Sequence, residues 1–349
     1  MAPVQYKPSF REKLLWSIQA KTAAWLVILL SLVSVVVIGV YAGPSQLVNT
    51  IIAGGMWALM AVGLALVFGV MNISHFAHGE SFMVGAYVAY SIFTPLQNRL
   101  AESPKPFLSA VAPFLGMVLA VLTGFVVGAV IEKVIFYPLR VRTRKGWVMN
   151  AFLLTVGISF VMTNGATLLL GPNFRGITRY WDVPPLEFLD VRLAVDRIAA
   201  FIVAMISIIA LWLFLRKTRT GRAIRAVSQD EAGAEMVGIN VNSIQTLTFA
   251  LATALATLAG ASLLFMFPAY PTVGLKPLYV AWYVVMLVGL GNVAGSIAGG
   301  FIVAILQTLT QQFIGVAWED VVPVAIMILV LLFVPSGIFG SEVKGVQEQ

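Results

Sequence analysis

LVNTIIAGGMWALMAVGLALVFGVM, the stretch Leu47–Met71, contains no Asp, Glu, Lys or Arg. A helix needs about 20 mostly apolar residues to cross the hydrocarbon core of a bilayer, and this stretch is long enough. Only 11% of the chain is charged, whereas a soluble chain carries about 25% charged residues. Other apolar runs lie at 23–41, 108–131, 148–171, 198–215, 244–267 and 321–334. The sequence therefore predicts an all-α fold, a polytopic integral membrane helical bundle of about 8–10 transmembrane helices.

Two apolar runs, Leu47–Met71 and the shorter Leu278–Leu290, end in breaks that contain glycine and asparagine. NISHFAHGE, Asn72–Glu80, separates Leu47–Met71 from a shorter apolar piece at 81–96. Interrupted helices at corresponding places in two halves of a transporter mark its substrate pathway. We therefore predict interrupted helices and an internal duplication, in which Gly69, Asn72 and Gly79 recur 220 residues later as Gly289, Asn292 and Gly299. The predicted substrate pathway contains Asn72, His75, His78, Glu80 and Asn292.

The ionisable residues of the first break admit two interpretations. A charge at the bilayer centre costs at least about 2.5–3.5 kcal/mol, so such a group faces a cavity or a partner. In the structural interpretation, Glu80 caps or bridges the broken helix with His78 beside it; in the functional one, it contacts substrate. Polar residues inside other spans are expected to form interhelical hydrogen bonds; they are Asn150, Thr155, Asn164, Gln307, Thr308 and Gln311.

A charge-rich passage between two apolar runs, Arg216–Val241, has the signals of a short helix. Ser228 precedes Glu231 by three residues, the spacing of a capping box, and Gly238 stands where a glycine would end the helix. We predict a helix at Ser228–Gly238 with a smooth, accessible apolar surface of Ala232, Gly233, Ala234, Met236 and Val237. The passage is either a solvated connector or a docking helix for a cytosolic partner.

The distribution of basic residues predicts the orientation. With ten crossings from a cytoplasmic N-terminus, 15 of the 22 Lys and Arg residues fall inside, as the positive-inside rule requires. The predicted organisation is a cytoplasmic leader at 1–22, a single transmembrane domain at 23–340 with a cytoplasmic segment at 216–241, and a cytoplasmic tail at 341–349. The loop at 172–197 is then external.

Two further predictions concern the chain near the membrane surfaces. Residues 40–42 resemble a signal cleavage site, but the long leader favours an uncleaved first span, with a cleaved signal as the alternative. Tyr180 and Trp181, in the external loop, are predicted to anchor it at the membrane interface.

Several classes of function lack the residues they need. The chain has no cysteine and only two histidines, which excludes disulfides and cysteine-ligated metals. It contains neither GxxxxGK[ST] nor HExxH, the usual nucleotide and zinc signatures. We therefore predict no catalytic residue, no metal site and no bound cofactor. Most basic residues lie beside span ends, so the net charge of +7 does not indicate nucleic acid.

Five passages, in matching order over about residues 47–340, resemble one family. They are GVMNISHFAHGESFMVGAYVAY (Gly69–Tyr90), TRTGRAIRAVSQDEAGAEMVGINV (Thr218–Val241), FALATALATLAGASL (Phe249–Leu263), VGLGNVAGSIAGGFIVAILQ (Val288–Gln307) and PSGIF (Pro335–Phe339). They are similar to permease subunits of bacterial branched-chain amino acid ABC importers of the LivH type. The second passage resembles the segment of that family that couples to the ATPase, here Arg222, Ser228, Glu231, Ala232, Gly233, Ala234 and Gly238.

The resemblance implies a permease subunit in the bacterial cytoplasmic (inner) membrane, and the distribution of basic residues predicts that both termini are cytoplasmic. It implies four partners besides the lipid bilayer: a homologous, often non-identical second permease subunit, two cytosolic ATPase subunits that use the ATP, and an extracytoplasmic substrate-binding protein. The expected substrates are branched-chain or other neutral amino acids. A permease for urea or short amides would share every motif, and a self-sufficient secondary transporter would need no docking helix. A membrane enzyme is the least supported alternative.

Overall fold

The computed structural model describes Thr22, Trp25, Val27 and residues 29–103, 105–143, 147–188 and 191–339. The predicted leader at 1–22, apart from Thr22, and the predicted tail at 341–349 lie outside these residues.

Helices make up nearly all of the described chain. Those before the central loop are α1 (Leu29–Ala42), α2 (Pro44–Met71), α3 (His78–Glu102), α4 (Pro106–Ile131), α5 (Tyr137–Arg142) and α6 (Trp147–Leu170). Those after it are α7 (Val195–Lys217), α8 (Arg219–Gln229), α9 (Glu231–Met236), α10 (Val241–Ser262), α11 (Leu275–Val288), α12 (Val293–Phe313) and α13 (Val321–Phe333). A π-helical turn, Glu132–Phe136, joins α4 to α5. The central loop holds an antiparallel hairpin of β1 (Leu186–Phe188) and β2 (Val191–Leu193).

The predicted membrane bundle is confirmed. Among the described residues, seven helices are long and apolar enough to cross a membrane. In this count α4 and α5 are one continuous helix, and α13 is joined to the 3-10 turn Val316–Trp318 that precedes it. Two shorter apolar helices, α1 and α11, accompany them. The 25 residues of α3 are also enough for a crossing at 1.5 Å per residue.

The bundle has a buried centre and an exposed periphery. In the most apolar stretch of each helix, 83% of α2 and 78% of α10 are buried, but only 6% of α6. Small residues let the central helices touch. A Cβ on Gly85 of α3 would lie 1.9 Å from the carbonyl oxygen of Thr257 in α10, and one on Gly300 of α12 would lie 2.5 Å from the backbone nitrogen of Ala58 in α2. Close backbone approach of this kind is how helices associate in membranes.

The two predicted breaks are confirmed as helix interruptions, between α2 and α3 and between α11 and α12. They lie side by side, because a Cβ on Gly69 would be 3.0 Å from the carbonyl oxygen of Gly291. The backbone of one break therefore packs directly on the backbone of the other. The ancestral duplication itself stays a prediction.

The prediction that Tyr180 anchors the loop at the membrane interface is wrong. Its side chain is 5% exposed, its hydroxyl donates to the carbonyl of Ala261, and its ring meets Phe93 edge-on at 5.1 Å. The backbone N–H of Tyr180 donates to Asp196 at the start of α7 over 2.7 Å. This bond folds the loop back onto the bundle and buries the tyrosine.

Candidate transport site and docking surface

Both asparagines of the predicted pathway lie at helix ends. Asn72 follows α2 in the left-handed conformation, with φ of 54°, and its N–H donates to Phe68 over 2.9 Å. Asn292 caps α12, because its side chain accepts from the N–H of Gly295 over 2.8 Å. The same side chain donates to the carbonyl of Phe339 over 2.7 Å. The structure thus gives each asparagine a role in shaping its break.

The two histidines point into the centre of the bundle. His75 is 1% exposed and His78 is fully buried. The Nε2 of His78 lies 3.2 Å from the carbonyl oxygen of Met60 in α2, and the ring of His75 packs 4.7 Å from that of Phe249 in α10. Within the described residues, the Nδ1 atoms of both rings have no hydrogen-bond partner.

Glu80 bonds to a different helix. It lies in the first turn of α3 and is 4% exposed. Its Oε1 accepts hydrogen bonds from Ser159 over 2.6 Å and from Thr163 over 3.4 Å, both on α6. Its Oε2 is buried and has no hydrogen-bond partner in the part of the chain that the structure describes. The structure therefore does not join Glu80 to the two histidines in one cluster.

The partners of this break on α6 form a stripe that sequence reasoning recognised only in part. Thr155 was predicted to bond to another helix, but it bonds to the break itself: its hydroxyl donates to Ser74 over 3.2 Å and accepts from the N–H of Phe76 over 3.3 Å. Ser159 and Thr163 were missed. The sequence feature that could have identified them is the four-residue spacing from Thr155, because this spacing places all three hydroxyls on one helical face.

The predicted capping box of the docking helix is wrong. Ser228 lies inside α8, where its hydroxyl donates to the carbonyl of Arg225 over 2.8 Å. Asp230 caps α9 instead, accepting from the N–H of Gly233 over 3.1 Å. The reason is that α8 begins at a cap of its own, Thr218, and continues through Ser228.

The predicted end of α9 is confirmed. Gly238 has a positive φ of 84°, a conformation that glycine adopts without steric cost. Its N–H donates to Glu235 over 2.9 Å, and the N–H of Ile239 donates to Ala234 over 3.0 Å. These two bonds form a Schellman motif, which satisfies carbonyls at the end of the helix.

The predicted accessible face of α9 is wrong for Ala234. That residue is 4% exposed and packs inward in a cluster with Ile224 and Val227 of α8. Ala232 is exposed, as is Arg222 on α8. The large apolar side chains that reach solvent here are Met236, 84% exposed, and Val237, 77% exposed. These two side chains form a small apolar patch at the C-terminal end of α9.

Polar contacts tie α9 to the spans. Gln245, fully buried in α10, donates to Glu231 of α9 over 3.2 Å. Burial raises the pKa of Glu231, and the positive charge of Arg140 opposes that rise. Arg140 itself pairs with the buried Glu132 over 3.1 Å and donates to Asn242 of α10 over 3.0 Å. Hydrogen bonds thus join α9 to α10, and α10 to Arg140 and its partner Glu132.

The chain is similar in sequence to known transport proteins. The family described as "Branched-chain amino acid transport system / permease component" matches residues 46–331. The chain is 31% identical over 303 residues to the high-affinity branched-chain amino acid permease LivH of Salmonella typhimurium, covering 84% of this chain and 94% of that protein. It is 30% identical to BraD of Pseudomonas aeruginosa, covering 86% and 97%. It is 28% identical to the ribose import permease RbsC of Escherichia coli, covering 91% and 94%. No solved structure matches the chain.

Proposed function

Because the chain belongs to the family of branched-chain amino acid transport system permease components, we propose that it forms the membrane-spanning path of an ATP-driven importer for branched-chain or other neutral amino acids. The substrate class is supported by the names of LivH and BraD, which are more similar to this chain than the ribose permease is. The chain would use ATP only through partner subunits, because its sequence has no nucleotide-binding loop.

The observation that carries the ATP-driven part of this proposal is the exposed end of α9. A helix capped at both ends by Asp230 and Gly238 holds its shape while it presents Met236 and Val237 to a partner. We assign this surface, with Ala232 and the neighbouring Arg222, as the docking site of a cytosolic ATPase. The bond from Gln245 to Glu231 would carry movement of the docked helix into α10.

The proposed setting is the bacterial inner membrane, with α8 and α9, the N-terminus and the C-terminus in the cytoplasm. The basic residues of the leader and of the segments 133–145 and 216–225 support this orientation. The assembly would include a second permease subunit, two ATPase subunits and an extracytoplasmic binding protein, as the family implies.

Uptake by the purified assembly in proteoliposomes tests the proposal. We expect L-leucine uptake that requires ATP, the binding protein and a hydrolysis-competent ATPase. Uptake that persists without ATP would identify a secondary transporter instead. Uptake of urea or acetamide without uptake of any neutral amino acid would assign the chain to the other substrate class.

A further inference from the structure

Glu80 is a buried carboxylate for which the structure shows no cation. It is 4% exposed, and none of the Lys or Arg side chains among the described residues forms an ion pair with it. Two other carboxylates are buried in the described chain: Glu132 is paired with Arg140, and Asp196 accepts from the backbone N–H groups of Tyr180 and Trp181. A buried charge normally has a partner of opposite sign, and an ionisable residue inside a membrane span usually serves function.

The hydrogen bonds of Glu80 occupy one carboxylate oxygen, Oε1, and leave the other, Oε2, available to a ligand. Both hydroxyls from α6, those of Ser159 and Thr163, donate to Oε1. They hold the carboxylate in one orientation and leave the buried Oε2 without a donor in the described chain. A carboxylate fixed in this way accepts most strongly from a cationic N–H donor, since charge-assisted hydrogen bonds are about twice as strong as neutral ones.

The position of Glu80 fits a transport path. It starts α3 immediately after the break, and the adjacent Gly79 packs against Gly274, where a Cβ would come 2.6 Å from the carbonyl oxygen of Gly274. This contact fixes the start of α3 against the segment before α11. The carboxylate of Glu80 bonds to α6 through Ser159 and Thr163, and α6 is the least buried spanning helix among those described. A shift of α6 would therefore release the hydrogen bonds that hold this carboxylate.

We propose that Glu80 binds the ammonium group of the transported amino acid through Oε2, with Ser159 and Thr163 as positioning residues. This inference rests on the proposed import function and deepens it. It also separates substrate classes, because urea, short amides and sugars carry no ammonium group that would need a buried carboxylate.

Carbodiimide labelling of the wild-type assembly tests the site without any mutation. A hydrophobic carbodiimide modifies buried membrane carboxyl groups, and mass spectrometry locates the modified residue. We expect 10 mM L-leucine to slow modification of Glu80 by roughly fivefold or more, and 10 mM 4-methylpentanoate, which has the same side chain but no ammonium group, to have no effect. Equal modification with and without leucine, in an assembly that imports leucine, would overturn the proposal while leaving the import function intact.

Substitution gives a second readout. Glu80→Gln keeps an oxygen for Ser159 and Thr163 but removes the negative charge, so we expect at least a tenfold loss of leucine uptake with unchanged assembly. Thr167→Ala is the matched control, because Thr167 lies one turn further on α6, is exposed and bonds only to the backbone of Thr163. Wild-type uptake by Glu80→Gln would refute the site. Absence of leucine uptake by the wild-type assembly would instead refute the import function.

Discussion

Replacing Met236 with serine tests the docking surface on α9. Met236 is 84% exposed, so the isolated subunit loses almost no packing and its free energy of unfolding should change by no more than about 0.5 kcal/mol. In the assembly the same side chain would be covered by the ATPase. Fully burying a methionine contributes about 1.5–3 kcal/mol, so covering its exposed part contributes roughly 1.3–2.5 kcal/mol. Met236→Ser should therefore weaken ATPase binding by roughly tenfold to seventyfold.

The measurement is a titration of purified ATPase against the permease in lipid nanodiscs, with a parallel thermal denaturation of each variant. Val237→Ser should behave in the same way, because Val237 is 77% exposed. Val316→Ser is the matched control: Val316 is 69% exposed but lies between α12 and α13, on the side predicted to be external. Undiminished ATPase affinity in the Met236→Ser, Val237→Ser double variant would refute the assignment of this surface.

Three further predictions concern orientation, the buried ion pair and pH. A cysteine at Asn173 should react with an impermeant maleimide outside intact cells and one at Gln229 should not; the reverse pattern would invert the topology. Arg140→Ala should lower the free energy of unfolding by about 3–5 kcal/mol because it leaves the buried Glu132 unpaired, and adding Glu132→Gln should recover part of that loss in the same denaturation assay. Burial raises the pKa of Glu231 above 4.5, so the folded state holds its proton to a higher pH than the unfolded chain, and stability falls as pH rises from about 4.5 through the raised pKa. Hydrogen exchange of α9 should show that loss of protection in the wild type, and Glu231→Gln should reduce it.

Features set by local backbone chemistry could be predicted from the sequence. The apolar runs became helices, both breaks appeared where glycine and asparagine interrupt them, and Gly238 ended α9. The predicted start of α9 was wrong, and the reason is also local. Ser228 and Asp230 are both good cap residues, and the choice depended on how far α8 extends from its own cap at Thr218.

Features set by tertiary packing could not be predicted. A small residue such as Ala234 suits either a close partner groove or a close neighbour in the same chain, and the structure shows the second. Ala234→Arg would therefore disrupt the packing of α9 and would not test docking alone. For the same reason, the sequence indicated that Glu80 belongs to the break but not that its carboxylate points toward Ser159. That direction depends on where α6 packs.

The most buried span is also among the first to be synthesised. The neighbours that bury α2 include α10 and α12, which follow it by well over a hundred residues, and its Thr50 hydroxyl bonds to Thr308. During translation α2 must therefore wait in lipid, or beside an insertion factor, until the last third of the polypeptide arrives. Because α2 contains no charged residues, it is stable in lipid before these neighbours are inserted. A chain truncated before Val293 would insert its early helices but would lack α12, the closest neighbour of α2. We expect cellular quality control to treat such a chain as incompletely folded.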